Sequence, residues 1–499
     1  MTSVSHGSPR SRLTVRVACL FAVALGAGCE GSLTTGSGGD AAMAADAGRG
    51  DDAGPDFDGG AGVDAGPDLD AGARTDAAFP PGPVHFPLRV GPTSRTLVDA
   101  DAHPFLMHGE AAWSLVVELT REDATLYLDD RQMRGVNTLL VNLIEHMFAS
   151  DAPRNAYGES PFRDTTDFTT TNDAYFDHAE WIVSEAEARG MMVLLAPAYV
   201  GYGGGAEGWW VEMSGMPLAI CTAYGDYVAG RLAAHPNIVW VEGGDYLPPA
   251  GSAGEACALA VTRAIQARIP SSLHTGHWAR GSSSRDSVAF TPLLQLDAFY
   301  TDETTHPRAL DEYARSSPRP TFLIEARYEG EGPDRATFRR QSWWVMTSGA
   351  SGHVTGNGPI WRFGAGWQAE LGSAGSRDMQ QLRAALDTDA FATLVPDAAH
   401  AVVTGGYGTR GGTGYVTAAA AVDGSLAIAY VPDAASRTLT VDLARFAGAV
   451  SASWRDPTDG TTTPVTGSPF AASGTRDFAV PGTNASGARD WLLVLRTGA

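Results

Sequence analysis

The chain has only four cysteines in 499 residues, and two of them, Cys19 and Cys29, lie in or beside an N-terminal export signal. Cys221 and Cys257 remain, open between a disulfide made in an oxidising compartment and two small buried thiols. The apolar run Val17–Ala27 is too short to span a bilayer, where ~20 residues are needed. Basic residues are outnumbered 35 to 57, a formal charge of -22, which argues against nucleic acid or an anionic membrane surface as partner. No His-Glu-x-x-His and no Gly-x-Ser-x-Gly occurs, and the 12 histidines do not cluster at zinc-ligand spacing. Metal hydrolysis and serine chemistry therefore recede, and no metal or cofactor is expected. No glycine-rich phosphate loop follows the first candidate strand, which counts against an open nucleotide-binding sheet.

What is present starts with Arg10, Arg12 and Arg16 ahead of the apolar run, which ends at Gly26-Ala27-Gly28-Cys29. A basic, then apolar, then small-residue order is an export signal over residues 1–29. A cysteine directly after Ala-Gly fits a bacterial lipoprotein site, with Cys29 as the acylated N-terminus and the lipid as the only membrane contact. The alternative is ordinary cleavage and free secretion; both readings place the protein outside the cytoplasm. Residues 30–80 are nearly all Gly, Ala, Asp, Ser, Thr and Pro, with a loose Asp-Ala-Gly refrain at Asp46, Asp52, Asp64 and Asp70. So few large apolar side chains cannot offset the entropy of ordering, and the segment reads as an acidic linker.

From 81 to 396 short apolar runs alternate with amphipathic stretches. Candidate strands are Phe105–His108, Thr138–Leu143, Met191–Ala196, Ile238–Glu242, Leu273–Thr275, Ala298–Tyr300, Thr321–Ile324 and Gly352–Thr355. Eight strands interleaved with helices over ~300 residues predict an α/β fold, a (β/α)8 barrel. From 397 to 499 short strands recur between turn clusters such as Asp456-Pro457-Thr458-Asp459-Gly460, which predicts a small antiparallel β-sandwich.

In such a barrel chemistry gathers at the C-terminal strand ends. The fourth strand runs Ile238-Val239-Trp240-Val241-Glu242-Gly243-Gly244-Asp245, and the seventh runs Thr321-Phe322-Leu323-Ile324-Glu325. Both deliver a carboxylate to the barrel mouth from opposing sides. Two acids flanking one bond are what glycosidic cleavage requires, one to protonate the departing oxygen and one to meet the oxocarbenium-like centre. Asp245 is assigned as acid/base and Glu325 as nucleophile, a retaining pair. The competing reading makes both acids structural ion pairs with Arg263, Arg327 or Arg335.

Sugars present hydroxyl edges and apolar faces, so substrate contacts are sought among polar and aromatic residues at strand ends. Glu110, Trp113, Asn142, His277, Tyr328 and Trp361 are the candidates. Trp209 and Trp210, beyond the Gly201–Gly205 loop, suggest a further wall. Glu242 reads as an acid behind the catalytic pair, and Glu329 as the weaker alternative to Glu325.

Several runs resemble the apiosidase-like glycoside hydrolases, glycoside hydrolase family 140 and its relatives: FLMHGEAAW at Phe105–Trp113, PNIVWVEGGD at Pro236–Asp245 and IEARYEG at Ile324–Gly330. The resemblance implies a catalytic Asp after Gly-Gly and a catalytic Glu ahead of Tyr-Glu, at Asp245 and Glu325, and release of apiose from pectin. The tail, with Trp454-Arg455-Asp456-Pro457 and Asp490-Trp491-Leu492, is similar to a β-domain labelled collagen-binding. The family writes Gly-Asp-Thr-Ala-Trp where this chain has Gly109-Glu110-Ala111-Ala112-Trp113, which implies altered sugar specificity if Glu110 holds a hydroxyl. The leading expectation is a hydrolase of plant or microbial polysaccharide. Its rivals are a glycan-binding barrel without turnover and a collagen-directed surface protein.

Overall fold

The structure is a computed structural model that describes residues 84–302, 304–386 and 388–498; the export signal, Cys29 and the linker lie outside them. Eight parallel strands make one sheet: β1 (Met107–Ala111), β2 (Thr138–Asn142), β3 (Met192–Ala196), β4 (Ile238–Gly243), β5 (Leu273–His277), β6 (Asp297–Tyr300), β7 (Thr321–Glu325) and β8 (Gly352–Thr355). The main helices between and after them are α1 (Arg121–Met133), α2 (Asp173–Ala188), α3 (Leu218–Leu232), α4 (Ala253–Arg268), α5 (His306–Tyr313), α6 (Arg335–Met346) and α7 (Ala374–Ala385). Sheet order is β5-β4-β3-β2-β1-β8-β7-β6, which leaves β5 and β6 as the two ends. The Ser284 hydroxyl stitches those ends together, donating to the Gly276 carbonyl at 2.8 Å and accepting from the Ala298 amide at 2.8 Å. The ring is thus the expected barrel.

Strand alternation decides which side chains face the ring's interior. Met107, Ala111, Leu140, Met192, Leu194, Val239, Val241, Phe322 and Ile324 form the inner core. Their neighbours Leu139, Val141, Val193, Leu195, Ile238 and Trp240 face outward into the helical layer. The first barrel strand begins at Met107, later than expected. Pro104–Phe105 pairs antiparallel with Leu97–Val98, which pairs with Arg89–Val90, and Leu88, Leu97 and Phe105 pack into the inner core from below β1.

Cys221 of α3 and Cys257 of α4 are joined in a disulfide, with Cα atoms 5.4 Å apart. The second module is a sandwich. One sheet runs Leu394–Pro396, Thr417–Ala421, Leu426–Val431, Trp491–Thr497, Val450–Arg455, Thr462–Pro464; the other runs Val403–Gly405, Thr438–Asp442, Thr475–Ala479. Its first strand starts at Leu394, ahead of the expected boundary at 397. Alternation splits the larger sheet again: Ala427, Ala429, Leu493 and Leu495 face the smaller sheet, whereas Leu426, Ile428, Tyr430 and Leu492 pack on Phe338, Trp343, Met379 and Leu382 of α6 and α7. Barrel and sandwich therefore share one apolar layer. Within it Arg339, fully buried, donates to Asp490 at 2.8 and 2.6 Å and to Asp378 at 2.6 Å.

Candidate active site

At the end of β4 the chain turns through three consecutive positive φ values, 83° at Gly243, 119° at Gly244 and 50° at Asp245. Both glycines are required there. A Cβ on Gly243 would lie 2.3 Å from the Trp278 ring, and one on Gly244 would lie 2.2 Å from the Tyr199 ring. Asp245 carries a side chain in the left-handed region, a strained conformation held by its surroundings. Its backbone N–H donates to His277 Nδ1 at 2.8 Å, which leaves the proton of a neutral imidazole on Nε2. That Nε2 donates to Glu325 Oε2 at 2.8 Å. One histidine at the end of β5 thus ties the Asp245 turn to the Glu325 carboxylate at the end of β7.

Asp245 and Glu325 line the same solvent-open cavity of about 340 Å³, within the range of small-ligand sites. Burial is the largest influence on Asp245; outweighing the opposing effect of His277 and reinforced by the Glu325 charge, it pushes the carboxyl up to about 7. Asp245 Oδ1 is buried without a hydrogen-bond partner. Among the described residues neither acid is ion-paired to an arginine: Arg335 is bound to Asp378, and Arg327 reaches Asp302. The Tyr328 hydroxyl interacts with Glu325 and accepts from Trp113 Nε1 at 3.1 Å. An aromatic chain walls the cavity, Trp113 to Tyr199 (5.6 Å between centroids), Tyr199 to Phe148 (5.7 Å) and Phe148 to Trp361 (5.2 Å). An acid pushed up to about 7 beside a second carboxyl anchored by donors is the kind of arrangement in which one group can give a proton and the other can attack.

The family model of the apiosidase-like catalytic domain matches residues 92–393. The chain belongs to this family. A second model, "Putative collagen-binding domain of a collagenase", matches residues 395–496. Among solved structures, one described as a glycoside hydrolase has a TM-score of 0.70 at 23% identity, covering 83% of this chain and 99% of its own. A glycoside hydrolase family 5 protein from Bacteroides vulgatus has a TM-score of 0.69 at 22% identity, covering 82% of this chain and 93% of its own. No curated protein sequence matches the chain. The catalytic domain thus has the fold and family of a glycosidase.

The sequence-derived candidates divide. Trp113, Tyr328 and Trp361 line the cavity with both acids. His277 is buried behind them and acts on Asp245 and Glu325 instead of facing the cleft. Glu110 does not reach the site. It is an outward-facing residue of β1, bound by Arg131 of α1 at 2.8 Å and by the Tyr127 hydroxyl at 2.8 Å. Asn142 faces inward but is fully buried and does not line the cleft; with Ser114 it lies beside Glu145 without a well-formed hydrogen bond. Burial pushes the Glu145 carboxyl up to about 7.

Glu242 points outward, held by Thr262 at 2.5 Å and His274 at 2.7 Å. Glu329 accepts from the Gly375 amide at 2.7 Å and the Ser373 hydroxyl at 2.6 Å, closing the N-terminus of α7. Trp209 is buried in the helical layer, and Trp210 packs on Tyr246. Sequence reasoning missed Phe148, Tyr199, Tyr202, Glu207, Arg280 and Glu331, all on loops beyond the strand ends. The glycine run at 201–205 was the available signal for Tyr202 and Glu207.

Proposed function

We propose that the chain is a retaining glycoside hydrolase of plant or microbial polysaccharide, with Asp245 as acid/base and Glu325 as nucleophile. The observation that supports it best is the pair of carboxylates facing one cavity from β4 and β7, coupled through His277, with Asp245 pushed up to about 7 by burial. In the first step a Glu325 oxygen bonds to the anomeric carbon as the glycosidic C–O bond breaks, and the Asp245 proton goes to the departing oxygen. In the second, water attacks the same carbon, its proton passes to Asp245, and the bond to Glu325 breaks. Trp113, Tyr328 and Trp361 contact the sugar under attack.

Family membership favours apiose from pectin side chains as the released sugar. The departure at Glu110 carries no argument for changed specificity or lost catalysis, because that side chain is outside the cleft. The non-catalytic reading loses its main support for the same reason. We further propose export with a lipid tether at Cys29; the Cys221–Cys257 disulfide supports an oxidising compartment. The deciding experiment is a release assay on pectic oligosaccharides that identifies the monosaccharide set free. Asp245→Asn and Glu325→Gln should fold normally and release the sugar far more slowly, by about 10²-fold or more. Binding without turnover by the wild-type chain across a broad glycan panel would instead favour the non-catalytic barrel.

A further inference from the structure

The cleft has two unequal halves. On the Glu325 side the polar groups already have partners: Glu325 with His277, Tyr328 with Trp113, and Trp361 Nε1 with Glu331 at 2.9 Å. The Asp245 side is different. There the loop 201–208 lies against the acid-bearing turn, with Gly204 so close to Tyr246, the residue after Asp245, that a Cβ would sit 2.6 Å from its ring. The loop's ends also touch: a Cβ on Gly201 would meet the Gly208 amide nitrogen at 2.4 Å. This tight lip presents Tyr202, 64% exposed, and Glu207 to the cavity. Among the described residues Glu207 forms no hydrogen bond or ion pair. Arg280 completes the group, its guanidinium steadied by the Tyr300 hydroxyl at 3.0 Å and Asp302 at 3.4 Å.

A general acid must reach the oxygen that departs, so the leaving group lies on its side of the cleft. We infer that Tyr202, Glu207 and Arg280 form the leaving-group subsite and that the leaving group is itself a sugar ring. An exposed aromatic face, an unengaged acceptor and a fixed donor match a ring with an apolar C–H face and hydroxyls that both donate and accept. A plain aryl or alkyl aglycone without hydroxyls would give Glu207 no donor. The electrostatic influence of Arg280 and Glu207 on Asp245 agrees with this placement.

The inference rests on the hydrolase reading for its direction, but its test does not need turnover. Ligand-observed saturation-transfer NMR on the full chain carrying Glu325→Gln would use the methyl glycosides of arabinose, galactose, rhamnose and galacturonic acid as probes. At least one should bind, and adding Tyr202→Ala or Glu207→Gln should weaken that binding about fivefold or more, the worth of one hydrogen bond or ring contact. Binding that survives both substitutions, or no binding by any probe, overturns the subsite. A wild-type chain that binds as expected but cleaves nothing sinks the hydrolase reading alone.

Discussion

Two clusters of carboxylates, one buried at the seam with the sandwich and one half-buried in the cleft, are held in different ways. At the seam with the sandwich, Asp378 and Asp490 are each met by the forked guanidinium of Arg339, and Tyr430 and Asn484 add donors to Asp490. In the cleft, Asp245 and Glu325 are ion-paired to no arginine among the described residues and are linked through His277. A cation of fixed charge satisfies carboxylates permanently, and burial then serves cohesion. With no cation paired to it, Asp245 is pushed up to about 7 by burial, the range a general acid needs.

Four substitutions would break or sharpen that contrast. Glu325→Gln removes the proposed nucleophile and should lower turnover by about 10⁴-fold or more while leaving the melting temperature nearly unchanged. Asp245→Asn should lower turnover by roughly 10²- to 10⁴-fold. It should also raise stability at neutral pH, and the sign follows from linkage. Asp245 titrates near 3.8 when unfolded and about 7 when folded, so its cost to stability develops as pH rises from about 4 to about 7. The asparagine variant's gain in melting temperature should therefore vanish below pH ~4. In the wild type, kcat/KM should fall as pH rises through about 7, when the acid loses its proton.

Arg339→Met should do the reverse at the seam. It leaves the buried Asp490 without a cation and Asp378 with Arg335 alone, costs about 3–5 kcal/mol in denaturant titration, and lowers activity only through unfolding. A variant that kept full stability would show that barrel and sandwich are less tightly joined than their shared core implies. Smallest is Cys221→Ser, which removes a cross-link closing 36 residues. Loss of roughly 3–4 kcal/mol, matched by adding reductant to the wild type, is the expected outcome.

Much of the barrel could be read in the one-dimensional text because its strands are short apolar runs with glycines at the right places, such as Gly243-Gly244 ahead of Asp245. Asp245 and Glu325 stood out because each ends such a run. Glu110 and Asn142 look equally well placed, and neither reaches the cleft. Glu110 is one residue out of phase with the inward-facing Ala111, and a period of two turns that single step into the opposite face. Asn142 has the right phase but too little reach past its strand. Tyr202, Glu207 and Arg280 lie on loops, where no periodicity announces direction.

The order of elements, the alternation that makes a strand and the acids at two strand ends were all settled by local sequence, since apolar spacing acts over a few residues. Three things awaited the closed ring. Which of the polar strand-end residues share a cavity depends on register across strands far apart in the chain. That His277 joins Asp245 to Glu325 depends on β4, β5 and β7 meeting at one rim. That the Asp245 carboxyl is pushed up to about 7 depends on how much water the folded chain removes from it, and desolvation is a property of the assembled surroundings, not of any neighbour in sequence.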